Sequence, residues 1–337
     1  MVGCTKVSVP SFMTVSGERV EVDLDRVSSA GDVRDAVVSG TEAGVKSYYI
    51  KGDYSRLGMD GRDGNPFAGS GVETIDFSGV YGWDDVYMYC DCSNRMRMRG
   101  KGMKAACFRC QYPFAEYAYL EKVRFPDNFS VISEGLFSGC VSLLSVEAPE
   151  VHSVGTQAFE NCFMLRNLIL PEVDSVFSMA FDNCRELKEL ELPSLAFAGK
   201  GAFQNCAITK AVFPDLRTIE GEECFLRCDQ LGYVDLPCLE CLPSRTFSEC
   251  PKISEIRICS VKTIGMSVLP CNHGDIDLYL TVEGDMDVDK NAFIGDLSTV
   301  TLVLNKDKMP GGGATPEADP ETDTWAGVHW KEIRFVD

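Results

Sequence analysis

The chain has 337 residues, 45% of them hydrophobic, and 51 acidic residues against 32 Lys and Arg give it a formal charge of −19 at pH 7. Because nucleic acids and anionic membranes also carry negative charge, this excess of acid disfavours both as partners. No apolar run reaches the roughly 18 to 20 residues that a membrane-spanning helix needs, so we predict no membrane span.

Residues 1–45 are predicted to form an amino-terminal cap. The segment RVEVDLDRV alternates as a strand does, and SSAGDVRDAVVSG has a serine N-cap, apolar Val33, Ala36 and Val37 at helical spacing, and Gly40 where the helix should stop. The chain carries a repeat array further along, and the open end of such an array has to be covered. The first ten residues, MVGCTKVSVP, contain no charged leader or cleavage site, so no export signal is predicted and secretion stays open.

Residues 46–305 are predicted to form a repeat solenoid whose first part, 46–113, is degenerate. VKSYYIKGD and GVETIDFSGV have the alternation of two strands. Tyr49 or Ile50 is expected to point inward in the first strand. In the second strand the inward residue is expected to be Ile75 or Phe77.

An inserted loop in this degenerate part holds the one cysteine cluster that could carry chemistry, namely Cys90, Cys92, Cys107 and Cys110. Four thiolates in two close pairs could hold zinc tetrahedrally, although CxC departs from the usual CxxC. Basic residues between the pairs would lower the thiol pKa values and help the thiols to ionise. One or two disulfides, or unpaired cysteines in a packed loop, are the alternatives. The same basic run could contact an anion or glycan, or could be a solvated face.

A repeat of 22 residues runs through the middle of the chain, and its regular part spans 114–305. Cysteine marks the period, with phenylalanine three positions before each one: Cys140, Cys162, Cys184, Cys206, Cys228 and Cys250. A fixed period of about 20 to 29 residues predicts a solenoid in which each unit buries its apolar side against its neighbours. The chain has sixteen cysteines. We interpret the six periodic ones as buried, inert packing residues, because parallel side chains one turn apart are poorly placed to form disulfides.

Each unit is predicted to contain a short strand, a turn and one short helical or 3₁₀ turn. Apolar residues six and eight positions after the cysteine alternate inward, and a proline ends the strand. The Ala-Phe segment that follows is typical of a helical turn. Two units are irregular: one loses a residue before Pro214, and the next gains one before Phe225. Both changes are expected to lie in connections.

This repeat resembles the BspA-like leucine-rich repeats, written AFxxCxxLxxIxLPxxVxxIG. The match is close in AFENCFMLRNLILPEVDSVFSMAFDNCRELKELELPSL. The resemblance implies an α/β repeat solenoid, namely a right-handed leucine-rich-repeat superhelix with a parallel β-sheet on the concave face and short helical turns on the convex side. It also implies interaction, often at a bacterial cell surface, rather than catalysis.

The outward strand positions should form a concave stripe. Its middle is acidic, with tyrosines and the aliphatic Ile169 and Val212 interleaved, which suits a polypeptide or a glycan. The predicted binding residues are Glu147, Glu189, Glu191, Tyr233, Asp235, Arg257 and Tyr279. The alternative is that these are solvated strand faces with no partner.

Residues 306–337 are predicted to form a carboxy-terminal cap with a mobile acidic loop over 310–324. Trp325 and Trp330 should cover the last turn, similar to a Trp-bearing tail in the resembled family. The alternative for these tryptophans is an exposed ligand platform.

Motifs for catalysis are missing from the sequence. His152, His273 and His329 lie in separate segments, and GGG at 311–313 follows no strand, so it is not a phosphate loop. We therefore predict a non-enzymatic, cofactor-free protein at the cell surface or secreted, which recognises protein or glycan through its concave face. A structural spacer or envelope component, or a zinc-binding module at 90–110, is the alternative, and the oligomeric state stays open.

Overall fold

The computed structural model describes residues 10–56, 66–67, 70–82, 114–270, 274–281, 286–305, 318–319 and 321–336. Its first elements are a hairpin of β1 (Met13–Ser16) and β2 (Arg19–Asp23), a 3₁₀ turn at Leu24–Arg26 and helix α1 (Ala30–Glu42). Strand β3 (Ser47–Asp53), a 3₁₀ turn at Tyr54–Arg56 and β4 (Thr74–Tyr81) follow. The predicted strand and helix of this region are thus both formed.

Helix α1 begins with a capping box but does not end at Gly40 as predicted. Ser29 accepts from the amide of Asp32, whose carboxylate accepts from the amide of Ser29. The helix continues to Glu42, and Gly44 with φ +91° lies just beyond it. Gly40 is required for a different reason, since a Cβ there would lie 2.2 Å from the Tyr48 hydroxyl. That hydroxyl donates to the carbonyl of Val37 at 3.1 Å, which fastens the helix to β3.

The structure shows which side chains of the two degenerate strands, β3 and β4, point inward. Tyr48 and Ile50 are buried in β3, whereas Tyr49 faces out with the Arg19 guanidinium 4.5 Å from its ring centre. Of the two residues proposed in β4, both Ile75 and Phe77 are buried. The alternation of a strand makes this possible, because positions two apart share a face.

All but one of the regular units contribute one short strand to a parallel ladder, which we call the concave ladder after the face predicted for it. The strands of this ladder are β5 (Lys122–Arg124), β7 (Ser145–Glu147), β9 (Asn167–Ile169), β12 (Lys210–Val212), β14 (Tyr233–Asp235), β16 (Glu255–Ile258), β18 (Ile276–Leu280), β20 (Val300–Asn305) and β23 (Glu332–Val336). They form two sheets, in the orders β1-β2-β3-β4-β5-β7-β9 and β12-β14-β16-β18-β20-β23, and every pair after β1–β2 is parallel.

A second parallel ladder of two-residue strands lies after the proline of each unit. Its members are β6 (Val131–Ile132), β8 (Ser153–Val154), β10 (Ser175–Val176), β11 (Phe197–Ala198), β13 (Thr218–Ile219), β15 (Cys241–Leu242), β17 (Thr263–Ile264) and β19 (Asp287–Val288). This ladder is divided between β13 and β15. A small antiparallel pair, β21 (Thr324–Trp325) and β22 (Val328–His329), lies near the end of the chain.

The helical turns predicted around each phenylalanine are not confirmed. In these segments the residues two before and two after phenylalanine have left-handed φ, for example +61° at Gly135 and +75° at Gly139 on either side of Phe137. A left-handed residue at every fourth position interrupts a right-handed helix. The amides of Gly135, Phe137 and Gly139 instead donate to carbonyls 21 residues further along, at 2.8–2.9 Å. The segment is therefore a third ladder, built from turns that hydrogen-bond from one unit to the next.

Phenylalanine rings form a continuous stack inside the solenoid. From Phe114 to Phe247, successive rings lie nearly parallel with centroids 5.2–5.8 Å apart. Offset stacking at this distance adds to the stabilisation that burial provides. This stack of rings explains why these units all have phenylalanine at the same position of the repeat.

The periodic cysteines are buried and free, as predicted. Each thiol donates to the carbonyl of the phenylalanine one turn earlier, as Cys184 does to Phe159 at 3.3 Å and Cys206 to Phe181 at 3.0 Å. Burial raises the pKa of Cys140 to about 12 and raises that of Cys184 well above its ordinary value. These thiols stay protonated near neutral pH, so they pack and donate rather than react.

Candidate recognition surface

Four of the predicted concave residues lie on three adjacent strands in two columns. In the first column Tyr233 of β14 is in register with Glu255 of β16, and in the second Asp235 is in register with Arg257. Arg257 is in turn in register with Tyr279 of β18. Since hydrogen-bonded strands lie about 4.8 Å apart, these side chains, distant in sequence, are immediate neighbours.

Four of the predicted residues, with Glu255, form a charged and aromatic cluster. The Tyr233 hydroxyl donates to Asp235 at 3.5 Å, and burial followed by the Asp235 charge raises the tyrosine pKa. Arg257 donates to Glu255, which raises the arginine pKa, and its guanidinium lies 4.3 Å from the centre of the Tyr279 ring. These side chains are thus held in place by contacts with one another. The surface is therefore preorganised, and one face of the Tyr279 ring is already covered by Arg257.

Glu147 is separated from this cluster. It belongs to β7 and forms an ion pair with Arg124 of β5 at 3.3 Å. Both side chains are substantially exposed, so the pair contributes little to stability.

Glu189 and Glu191 lie where the concave ladder is interrupted. Residues 189–191 form no strand, although both neighbouring units do, and the two concave sheets end on either side of them at β9 and β12. Within the described stretch 114–270, no backbone hydrogen bond joins residues 188–192 to β9. On the other side one bond remains, from the amide of Thr209 to the carbonyl of Lys188 at 3.1 Å.

We call this interruption the central opening, bounded by β9 on one side and residues 188–192 on the other. It contains a cavity of about 460 Å³ lined by Arg166, Glu186, Lys188 and Glu189. The other two ladders are continuous here, because β10 pairs with β11 and the amide of Asn183 donates to the carbonyl of Gln204. The opening is therefore confined to the concave face.

The middle residues of the opening are less buried than their equivalents. Leu168 and Leu190 are only partly buried, whereas Val146 and Ala211, in the flanking rows, are fully buried. Beside them Ile169 is 53% exposed. The apolar side chains of these two rows are thus more exposed than those of the flanking rows.

Two of the three carboxylates at the opening, Glu189 and Glu191, have no partner among the described residues. In the described part of the chain Glu189 and Glu191 form neither an ion pair nor a side-chain hydrogen bond. Glu186, in contrast, lies 3.5 Å from Arg166. Two exposed, unpaired acids therefore lie beside the partly buried Leu190.

The sequence contains a signal for this opening, although a one-residue deletion in a connection by itself predicts only a loop change. The unit that loses a residue before Pro214 is the one that supplies β12, whose inward residue Ala211 follows Cys206 by five positions instead of six. The shortened connection coincides with the loss of pairing in the preceding row. The inserted residue before Phe225 likewise coincides with the break between β13 and β15, where Gly221 helps to line a second cavity of about 430 Å³.

Both carboxy-terminal tryptophans are part of the core. Trp325 and Trp330 are almost completely buried against Phe293, with ring centroids 5.7 and 4.9 Å from it. The Trp330 indole donates to the carbonyl of Trp325 at 3.2 Å. They are therefore covered packing residues and not an exposed ligand platform.

Several other predicted residues lie outside the described ranges. They are Cys90, Cys92, Cys107, Cys110, His273, the glycines 311–313 and most of the acidic loop over 310–324. Among the residues that are described, no group of three or more potential ligands could hold a metal ion. None of the helices in that same part of the chain has the length and apolar character needed to cross a bilayer.

Three stacked ladders, with one unit every 22 residues or so, define a leucine-rich-repeat solenoid. Residues 110–220 and 152–273 match the model of the BspA type leucine rich repeat region, in six copies. Over this repeat region the chain belongs to the BspA-type leucine-rich-repeat family.

Solved structures of bacterial leucine-rich-repeat proteins are similar to this chain. One from T. pallidum has 24% identity over 48% of this chain and 73% of its own, with a TM-score of 0.38. One from Bacteroides ovatus has 18% identity, covers 64% and 69%, and has a TM-score of 0.40. A leucine rich cell surface protein from Faecalibacterium prausnitzii has 18% identity, covers 67% and 82%, and has a TM-score of 0.33.

No curated protein matches the chain.

Proposed function

We propose that this protein recognises a protein partner through its concave face and catalyses no reaction. The central opening is the observation that carries the proposal. There, partly buried Leu168 and Leu190, exposed Ile169, and unpaired Glu189 and Glu191 lie together on a face that is otherwise a closed ladder. Clustered apolar side chains rimmed by polar groups are typical of a protein interaction site.

Glycan recognition is the second candidate and concerns the cluster around Tyr233 and Tyr279. Aromatic side chains beside Asp235 and Arg257 provide both stacking surfaces and polar groups. The Tyr279 ring face is already occupied by Arg257, and Tyr233 already donates to Asp235. This internal pairing favours a polypeptide over a sugar as the partner.

The remaining parts of the proposal follow from the family and the composition. We propose a location at the cell surface or outside the cell, a right-handed coil, and caps at 1–45 and 306–337. Burial would protect the ladder thiols in an oxidising location, because oxidation follows thiolate character and exposure. A zinc site at Cys90, Cys92, Cys107 and Cys110 stays a separate hypothesis, which a zinc assay of dialysed protein tests.

Charge reversal tests concave recognition against the spacer alternative. Glu147, Glu189, Glu191 and Asp235 are changed together to Lys, and binding is measured against panels of host-surface proteins and glycans. The matched control changes four exposed acids elsewhere to Lys, namely Asp127, Glu172, Glu220 and Glu222. Because both variants gain the same charge, recognition predicts loss of binding only in the first. Equal binding by both variants would favour the structural spacer.

A further inference from the structure

We propose that Cys238 and Cys259 form a disulfide in an oxidising environment and thereby link two neighbouring units of the solenoid. The reaction is thiol–disulfide exchange with a small-molecule disulfide. Each cysteine loses one hydrogen, one sulfur–sulfur bond forms between them, and the oxidant is reduced to two thiols. The inference goes beyond concave recognition and does not depend on it, because it concerns a modification site at another corner of the units.

Exposure separates these two cysteines from the periodic ones. Cys238 and Cys259 are half-buried and free, whereas the periodic cysteines are almost completely buried. Both lie within three residues after a strand of the concave ladder, where the chain turns toward the second ladder. The inward positions that follow are taken by buried Leu239 and Val261. The two cysteines therefore lie on the outer side of the same corner, where a soluble oxidant has access to them.

The register of the two units places these cysteines diagonally opposite each other. Before the turn β14 pairs with β16, and after it β15 pairs with β17, both at an offset of 22 residues. The same offset on both sides makes Ser260 the row neighbour of Cys238 and Pro237 the row neighbour of Cys259. The two cysteines are thus one row and one residue apart.

This diagonal placement puts the two Cα atoms within the reach of a disulfide. The units are still joined here, because the amide of Leu236 donates to the carbonyl of Arg257 at 2.9 Å. Rows about 4.8 Å apart and one residue step of about 3.8 Å give a diagonal of about 6 Å. Disulfides join Cα atoms about 4.4–6.8 Å apart, most often near 6 Å. The corner therefore needs no backbone rearrangement to close the bond.

The sequence suggests a different pair, since Cys238 and Cys241 form a CxxC motif. Cys241 already belongs to strand β15, and the amide of Glu240 donates to the carbonyl of Arg217 in the preceding unit at 3.2 Å. The chain therefore leaves the turn nearly extended, and three such steps span about 9–10 Å. That distance is too long for a disulfide, so the fold favours the partner in the next unit.

The bond would fasten the ends of β14 and β16 to each other. These strands carry Tyr233, Asp235 and Arg257 of the concave cluster. A cross-link that closes one turn of the solenoid stabilises the folded protein mainly by restricting the unfolded chain. Oxidation would thus stabilise the rows that display the cluster.

Mass spectrometry after mild oxidation tests the pairing. The folded, full-length protein is incubated with oxidised glutathione, and the remaining thiols are blocked. It is then digested with trypsin and with a protease that cleaves after glutamate. Because cleavage after Glu240 separates Cys238 from Cys241, the linked peptides identify the partner. We expect Cys238 joined to Cys259, with the loss of two hydrogen atoms and reversal by dithiothreitol.

Serine variants supply the controls. Cys241→Ser removes an exposed thiol of the same segment and should leave the bond unchanged, whereas Cys238→Ser and Cys259→Ser should each abolish it. Oxidation should raise the urea midpoint of the wild type and of Cys241→Ser, but not that of the other two variants.

The outcomes separate this inference from the proposed function. If Cys238 is found joined to Cys241 or to any other cysteine, if stable glutathione adducts form on both Cys238 and Cys259, or if no bond forms, the proposal is wrong. Each of these results leaves concave recognition standing, because that function is judged by the binding of the charge-reversed variant.

Discussion

Replacement of Phe181 by Leu should measure what the phenylalanine stack contributes. The Phe181 ring stacks on two others, with centroids 5.2 Å from Phe159 and 5.8 Å from Phe203. Each aromatic pair contributes about 0.5–1.5 kcal/mol beyond burial, so the loss of both costs about 1–3 kcal/mol. Leucine keeps most of the apolar surface, and its smaller volume adds about 1 kcal/mol. We therefore expect a loss of about 2–4 kcal/mol in the free energy of unfolding.

Phe247 provides the matched control, because among the described residues it stacks on one ring, Phe225 at 5.7 Å. Phe247→Leu should cost less than Phe181→Leu by the value of one pair, about 0.5–1.5 kcal/mol. Urea unfolding followed by circular dichroism measures both, with equal denaturant slopes required for the comparison. An equal or larger loss at Phe247 would refute the view that ring stacking between units, and not burial alone, selects phenylalanine here.

Other predictions concern the thiols, the opening and the tryptophans. Burial raises the pKa of Cys184 in the folded protein, so above pH 9 the unfolded chain ionises first, and stability should fall by about 1.4 kcal/mol per pH unit for each such thiol. Cys184→Ala should reduce this slope in urea titrations between pH 8.5 and 10, and an unchanged slope would contradict the assignment. Exposed Cys241 should react rapidly with a disulfide reagent whereas Cys184 reacts only on unfolding, as mass spectrometry of the labelled chain would show. One residue inserted after Ala207 restores the six-residue spacing between Cys206 and the inward residue of β12 and should close the central opening, so hydrogen exchange at 189–191 slows; unchanged or faster exchange would argue against the role of the deletion. Trp330→Phe removes the indole bond to Trp325 and should cost about 1 kcal/mol in thermal unfolding, unlike an exposed tryptophan, which would cost almost nothing.

The repeat period alone predicted the stacking of the units, the inward apolar residues of the strands and the buried, free cysteines. Such features follow from local spacing, since a strand turns every second side chain inward and each unit buries its apolar side on the next. Because phenylalanine recurs every 22 residues, its rings lie above one another once the units stack. Family membership followed from the same spacing.

Other features were decided only by contacts between units. The segment around Phe137 reads as a helical turn, yet left-handed φ values and hydrogen bonds to the next unit make it a ladder of turns. The cluster of Tyr233, Asp235, Arg257 and Tyr279 depends on strand register across three units.

The central opening shows most clearly which features the sequence determined and which the tertiary structure determined. The segment RELKELELP around Glu189 and Glu191 fits the repeat as well as any other and predicts a strand. It forms none, because a strand exists only through the hydrogen bonds of its neighbours, and the shortened unit at Cys206 alters the partner on one side. The sequence determined which residues face outward there, and the tertiary structure determined that their backbone was left unpaired.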